Sequence, residues 1–242
     1  HPAMLMHQPG AYKTFSKVMR SASILYKGGT LAPGKIEWSW VQTKQDLQRL
    51  IELCSQVPYG GVDIETSSLD TKQAMVWVIG IAVSPNEVYV IDRETYLKYP
   101  EQISELFRTT MQWVWHNGKY DTEVLYWDGY KEVRLDQDTI YLHYCLNETG
   151  GTHGLGILSS VYLGADEYKS KLNSEFSNIT TEDAYGRYKQ DLGERVATDA
   201  AYTFQLYEIL YPKVMENPDW KKLYQTLLIP GGNFLRGVQI RG

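Results

Sequence analysis

Asp63 and Glu65 are the first residues of this chain whose types and spacing suggest chemistry. In an extended strand, residues i and i+2 point to the same side, so both carboxylates would project together while Val62, Ile64 and Thr66 face the other way. Two like charges this close raise each other's pKa unless a cation lies between them. Oxygen ligands of this kind suit Mg²⁺ or Mn²⁺. By itself, however, an Asp-x-Glu pair more often lies on a half-exposed strand, where both carboxylates are simply solvated.

Two further acids fall at element ends where one site could gather them. Asp121 opens a predicted helix directly after the Trp113–Trp115 strand. Asp199 lies on an otherwise apolar helical face, where burial of a carboxylate is costly unless it is paired or metal-bound. Four converging acids would be strongly destabilising without cations. Two divalent ions would offset that charge, help to activate a water and stabilise a phosphoryl centre and its leaving oxygen.

The elements that position these acids can be predicted from hydrophobic periodicity and from turn-forming and helix-capping residues. Three apolar strands come in succession: the one that carries Asp63, then Val76–Val83, then Glu87–Ile91, with Pro85-Asn86 as a hairpin turn. Before them, Thr43 is a plausible N-cap for a helix with apolar residues at helical spacing. Helices dominate later, and a meander followed by alternating helix and strand predicts an α/β fold with a mixed sheet.

The C-terminal half is predicted to be helical. One helix should run from Thr180 or Thr181 through Tyr188, and a longer one from about Leu192 to Tyr211. Pro212 need not end the second helix abruptly, whereas Asn217-Pro218 should.

Length, net charge and cysteine content limit the classes of protein to which this chain can belong. A chain of 242 residues allows one large domain or two small ones, and its net charge of −5 argues against a uniformly basic surface that binds nucleic acid. The two cysteines are too few and too far apart for a disulfide framework or a zinc site, which indicates a reducing, intracellular setting. No apolar run approaches membrane-spanning length, so no membrane partner is expected.

Three segments, in order, resemble the exonuclease motifs of the proofreading domain of family A DNA polymerases. Asp63–Asp70 resembles the first motif, His116–Asp121 the second and Ala197–Thr203 the third, while Asp138-Thr139 and Gly151–Leu155 resemble the segments between them. The likeness covers roughly residues 37 to 215. It implies a ribonuclease-H-like fold, a mixed five-stranded sheet flanked by helices, and 3′–5′ exonuclease activity.

The resemblance also implies roles for matching residues. Asp63, Glu65 and Asp199 would hold the first of two Mg²⁺ or Mn²⁺ ions. Asp63 would help to hold the second, with Asp121 acting through its water shell.

The substrate contacts implied by the resemblance involve five residues. Thr66 and Leu69 would contact the terminal nucleotide, Leu69 as a wedge against the last base. Asn117 would touch the strand end, Lys119 would neutralise phosphate, and Tyr120 would stack on or pack against a base, a contact that tolerates any sequence.

One position departs from the family pattern. A Tyr usually lies four residues before the third-motif Asp, one helical turn back, where its hydroxyl orients the attacking water. Here that position is Arg195, and Glu194 stands where a related branch has His. Arg195 would pair with Glu65 or with a phosphate. Three outcomes remain open: weakened cleavage, a domain that binds without cutting, or replacement by a nearby Tyr, namely Tyr185, Tyr188 or Tyr202.

We therefore divide the chain into an N-terminal extension (1–36), a 3′–5′ exonuclease domain (37–215) and the start of a connection to a polymerase domain (216–242). The last division rests on Leu227–Pro230 and Val238–Gly242, which resemble the family's junction. The expected partners are a single-stranded DNA 3′ end and a polymerase domain of the same chain, in the cytoplasm or nucleoid, or in an organelle. The alternatives are a ribonuclease-D-type RNA exonuclease and a non-catalytic domain that binds single strands or scaffolds a polymerase.

Overall fold

A computed structural model describes residues 34–165 and 179–241, together with Phe15 and Met19. Most of the predicted N-terminal extension, residues 1–36, therefore lies outside the described residues.

The fold is built on a mixed six-stranded sheet. Its strands are β1 (Glu37–Val41), β2 (Tyr59–Thr66), β3 (Val76–Ser84), β4 (Glu87–Asp92), β5 (Gln112–Trp115) and β6 (Gln137–Asp138). Their order across the sheet is β1-β4-β3-β2-β5-β6, with β2, β3 and β4 antiparallel and the remaining pairs parallel. The predicted α/β class and mixed sheet are confirmed. There is one strand more than expected, because the two residues of β6 pair with β5.

Helices cover the sheet and form the C-terminal part. They are α1 (Lys44–Cys54), α2 (Arg93–Lys98), α3 (Pro100–Phe107), α4 (Lys119–Trp127), α5 (Thr139–Leu146), α6 (Leu155–Leu158), α7 (Glu182–Glu216), α8 (Pro218–Leu223) and α9 (Ile229–Arg241). Two π-helical turns, Ser159–Leu163 and Tyr224–Leu228, follow α6 and α8.

Local chemistry explains where the first elements begin and turn. The Thr43 side chain accepts from the Asp46 backbone N–H and the Asp46 carboxylate accepts from the Thr43 backbone N–H, a reciprocal capping box that fixes the start of α1. Pro85 and Asn86 form the turn between β3 and β4, as predicted.

Helix α7 is continuous, whereas two helices were expected over this part of the chain. Its 35 residues include Gly186, Gly193 and Pro212, none of which interrupts it. Gly193 has a packing role, because a Cβ there would lie 2.6 Å from the Trp40 ring. The helix ends at Glu216, and Asn217 caps α8, so the stop predicted at Asn217-Pro218 is confirmed.

The two faces of the sheet carry different layers. Val62, Ile64 and Ile79 pack with the apolar sides of α1, α3 and α4 in one buried cluster. Val78 and Ala82 face the opposite way and pack with α7. The alternation predicted for β2 is therefore confirmed, and it turns Asp63 and Glu65 toward α7.

Helix α7 approaches β2 and β3 unusually closely because glycines lie beneath it. A Cβ on Gly61 would be 2.4 Å from the Ala200 carbonyl oxygen, and a Cβ on Gly80 would be 2.6 Å from the Val196 carbonyl oxygen. Gly80 is the register partner of Asp63. These two positions thus set the height of α7 above the strand that carries the acids.

Candidate active site

Three carboxylates converge where α7 crosses β2. Ligand oxygens of Asp63, Glu65 and Asp199 all lie within 4.8 Å of one another, although Asp199 is separated from the others by more than 130 positions in the sequence. Asp199 is 2% exposed. Oxygen-only donors at this spacing suit a small hard cation, and such a cation would offset the repulsion among the acids. The predicted convergence of these three residues is therefore present in the structure.

The strand is irregular beside these acids. Glu65 pairs with Val78, whereas Thr66 pairs with Val76, so Trp77 is the additional residue of a bulge on β3. A bulge bends a strand and redirects its side chains, and bulges are common next to active sites. Here it ends the regular pairing of β2 directly after Glu65.

Asp121 lies beside the three-acid group, in the first turn of α4, and is 8% exposed. The pKa of its carboxyl is raised to about 7, mainly by burial, and the negative charges of Asp138 and Glu65 act in the same direction. A hydrogen bond from the Ile64 backbone acts in the opposite direction and places Asp121 against the residue between the two strand acids. Asp121 therefore adjoins the group of three without belonging to it.

Asp138 holds the loop that precedes Asp121. Its carboxylate accepts the backbone N–H of Asn117 at 3.1 Å, of Gly118 at 2.9 Å and of Ile140 at 2.9 Å. Burial raises the pKa of Asp138 to about 6, although these hydrogen bonds oppose the shift. Asn117 has a φ of 63°, in the left-handed region. Asp138 is also the N-cap of α5, and nothing in the sequence revealed its second role in holding this loop.

Arg195 makes an ion pair within the site. Its Nε lies 2.6 Å from Glu65 Oε1, and the two side chains are only 15% and 17% exposed. Of the two partners considered from the sequence, the structure shows Glu65. Tyr185, one proposed substitute for the usual Tyr, is committed elsewhere: its hydroxyl accepts the Arg93 backbone N–H and donates to Glu94, both at 3.3 Å.

The segment after β2 is tied to α4. The Tyr120 hydroxyl donates to the Ser68 carbonyl oxygen and lies 2.5 Å from the Thr66 hydroxyl. Leu69, the next residue, is 91% exposed although it is apolar. The hydroxyl of Tyr120 thus ties the residue before Leu69 to α4.

The C-terminal helices pack against the same region. Lys119 Nζ donates to Gln239 Oε1 at 2.7 Å, and Arg236 donates to the Thr122 carbonyl oxygen at 3.1 Å, so α9 contacts the first turns of α4. Tyr224 is 1% exposed and accepts the Asp138 backbone N–H at 3.1 Å. Segments of residues 216–241 thus contact the domain at α4 and at Asp138.

No helix in the described ranges has both the length and the apolar character needed to cross a membrane.

The fold and the site together define a ribonuclease-H-like α/β domain with acids gathered over its central strands. A family model described as 3′-5′ exonuclease, from the DNA polymerase A group, matches residues 38–215. The chain therefore belongs to the 3′–5′ exonuclease-domain family of A-type DNA polymerases.

Two curated relatives are DNA polymerases. The chain is 26% identical to the DNA polymerase of Escherichia phage T5 over an alignment 264 positions long, gaps included. The alignment covers 100% of this chain and 30% of that protein. It is 28% identical over 199 residues to DNA polymerase I of Borreliella burgdorferi, covering 78% of this chain and 21% of the relative. The chain thus spans less than a third of the length of either polymerase.

Solved structures share the fold at low identity. The POL domain of Pol1 from M. smegmatis superposes with a TM-score of 0.65 at 14% identity, covering 84% of this chain and 32% of that one. Escherichia coli RNase D superposes with a TM-score of 0.61 at 18% identity, covering 85% and 50%. The fold is therefore common to polymerase-associated and ribonuclease members.

Proposed function

We propose that this domain hydrolyses the 3′-terminal phosphodiester of single-stranded DNA and releases a nucleoside monophosphate. The observation that carries the proposal is the convergence of Asp63, Glu65 and Asp199 within 4.8 Å, in a chain of the exonuclease-domain family. Editing of any 3′ end requires a site that acts on the backbone, and acids that gather cations around a phosphate meet that requirement.

The residues present fit two Mg²⁺ or Mn²⁺ ions. Asp63, Glu65 and Asp199 would hold the first, and Asp63 together with Asp121 would hold the second. When bound, the ions would supply charge neutralisation at the phosphate and a more acidic water. Burial and neighbouring acids raise the pKa of Asp121, and positive charge close by would favour its carboxylate form. A cation bound at this site would therefore offset the shift.

The terminal nucleotide would bind against the segment after β2 and the first turn of α4. Leu69 is exposed and tethered through Tyr120, which suits a wedge against the last base. Thr66 lies in the same network, and Asn117 is held by Asp138 at the opening of α4. Lys119 would contact phosphate, and to do so it would exchange its bond to Gln239.

We infer that cleavage is weaker than in members that carry the usual Tyr. A guanidinium paired with Glu65 can neither accept the proton of the attacking water nor orient it as a hydroxyl would. Arg195→Tyr should therefore raise the rate on a labelled single strand with Mn²⁺. The absence of any gain would count against the idea.

We propose that a polymerase domain of the same full-length chain is the partner. The two relatives named above are polymerases that this chain covers only in part. Residues 216–242 would begin the connection, and residues 37–215 would form the exonuclease unit.

The test uses one acid of the site and one matched acid outside it. Asp199→Asn should abolish Mn²⁺-dependent cleavage of a labelled single strand. Asp191→Asn changes the same residue type on the same helix at an exposed position and should leave cleavage unchanged. Running DNA and RNA strands in parallel separates the proposed activity from a ribonuclease D type.

Three results would contradict the proposal. Undiminished cleavage by Asp199→Asn would show that the carboxylate group is not the site. Preference for RNA would favour the ribonuclease. Strand binding without cleavage by the unmodified protein would favour the scaffold, the alternative that Arg195 keeps open.

A further inference from the structure

Arg195 and Glu65 form an ion pair at the centre of the site, where the cations would bind. Arg195 lies four residues before Asp199 on α7, so both side chains face β2. Its partner Glu65 is also one of the three converging acids. A predicted metal ligand is therefore ion-paired with a protein cation in the structure.

The pair has two electrostatic consequences. Both side chains are more than four-fifths buried, so their attraction is only partly screened by solvent. Without metal, the guanidinium neutralises one of three crowded carboxylates. A divalent ion that enters this group must compete with Arg195 for Glu65 and also meets the repulsion of a fixed positive charge.

A guanidinium displaced from Glu65 would lose a mostly buried ion pair, and that loss is costly unless another anion replaces the carboxylate. A phosphate held by the same acids and ions is the anion whose geometry it fits best, because the planar fork of Arg binds phosphate oxygens in pairs. The phosphate of the strand end would thus relieve the cost that the metal ion imposes on Arg195.

We propose that Arg195 couples metal binding to phosphate binding: it holds Glu65 in the ion-free domain, weakens divalent-ion affinity, and transfers to the strand-end phosphate when the ion takes Glu65. Metal and phosphate then strengthen each other's binding, and by linkage the effect is equal in both directions. This inference rests on the proposed function of the site and names Arg195 as the residue that connects its two ligands.

The test is a calorimetric titration of the whole chain with Mn²⁺, alone and with saturating thymidine 5′-monophosphate, which cannot be cleaved further. For the unmodified protein, the nucleotide should tighten Mn²⁺ binding by about tenfold, a typical coupling. Arg195→Gln should bind Mn²⁺ more tightly without nucleotide, by about tenfold, and should lose most of the tightening. Arg187→Gln, at an exposed position on the same helix, should behave as the unmodified protein does.

A second variant and a second readout keep the test decisive. Arg195→Lys retains the charge but not the fork, so Mn²⁺ affinity alone should stay weak while the coupling falls. In EDTA, Arg195→Gln should melt at a lower temperature than the unmodified protein, and Mn²⁺ should raise its melting temperature by more.

Unchanged Mn²⁺ affinity and undiminished coupling in Arg195→Gln would overturn the inference. A different result would contradict the proposed function: an Asp63→Ala variant that still binds Mn²⁺ and still cleaves a single strand.

Discussion

The close approach of α7 to β2 at Gly61 should be necessary for catalysis. A Cβ at this position would lie 2.4 Å from the Ala200 carbonyl oxygen and 2.8 Å from the Phe204 backbone nitrogen. Both are main-chain atoms that cannot rotate away. Ordinary contact begins at 3.4 Å, so in Gly61→Ala the helix must move by about 1.0 Å, the difference between 3.4 and 2.4 Å.

That shift displaces Asp199, the residue next to Ala200, relative to Asp63 and Glu65. A misplacement of about 1 Å in a catalytic group can lower turnover by about 100-fold. Overpacking should also lower the free energy of unfolding by roughly 1–3 kcal/mol, which leaves a folded domain if the overall stability is typical.

The assay measures turnover on a 3′-labelled single strand at saturating Mn²⁺, with urea unfolding of the same samples. Gly186→Ala is the matched control, because Gly186 lies in α7 and a Cβ added there would have no neighbouring atom within 4 Å. It should keep full turnover and gain up to about 1 kcal/mol from helix propensity. Gly61→Ala with undiminished turnover would refute the claim that this contact sets the position of Asp199.

Three further predictions concern the surroundings of the acids. Because burial raises the pKa of Asp121 to about 7 and that of Asp138 to about 6, the folded state retains protons that the unfolded chain releases near pH 4. In EDTA, the free energy of unfolding measured in urea should therefore fall as pH rises from about 4 to about 7, and Asp121→Asn should flatten the curve; an unchanged slope would contradict the assigned cause. Leu69→Ala should slow cleavage of a paired 3′ end about tenfold while sparing a single strand, since only a paired end needs a wedge; equal losses on both labelled substrates would argue against that role. Tyr120→Phe removes the hydroxyl that donates to Ser68, so urea unfolding should show a loss of about 1 kcal/mol; unaltered stability would mean that this tether is weak.

The parts of the fold that depend on neighbouring residues could be predicted from the sequence. Alternation in β2 placed Asp63 and Glu65 on one face, and Thr43 as an N-cap gave the start of α1, since each depends on atoms a few residues apart. The order of the motifs indicated that Asp199 belongs with the strand acids, and the 4.8 Å grouping agrees.

The remaining features depend on contacts between distant segments. Nothing near Gly61 in the sequence indicates that α7 packs directly on this residue, as it does in the structure. The break expected between Tyr188 and Leu192 is absent, and Gly193 just beyond it accommodates Trp40 inside a continuous helix. The choice of Arg195 between Glu65 and a phosphate could not be made from spacing along one helix, because the partner lies on another element.

The most direct test of the central claim is a crystal of the domain soaked in Mn²⁺ and measured at a wavelength where manganese scatters anomalously. We predict anomalous density between Asp63, Glu65 and Asp199, with a second peak toward Asp121 when a nucleotide is bound. The absence of an anomalous peak among these carboxylates at saturating Mn²⁺ would contradict the claim that they form a metal centre.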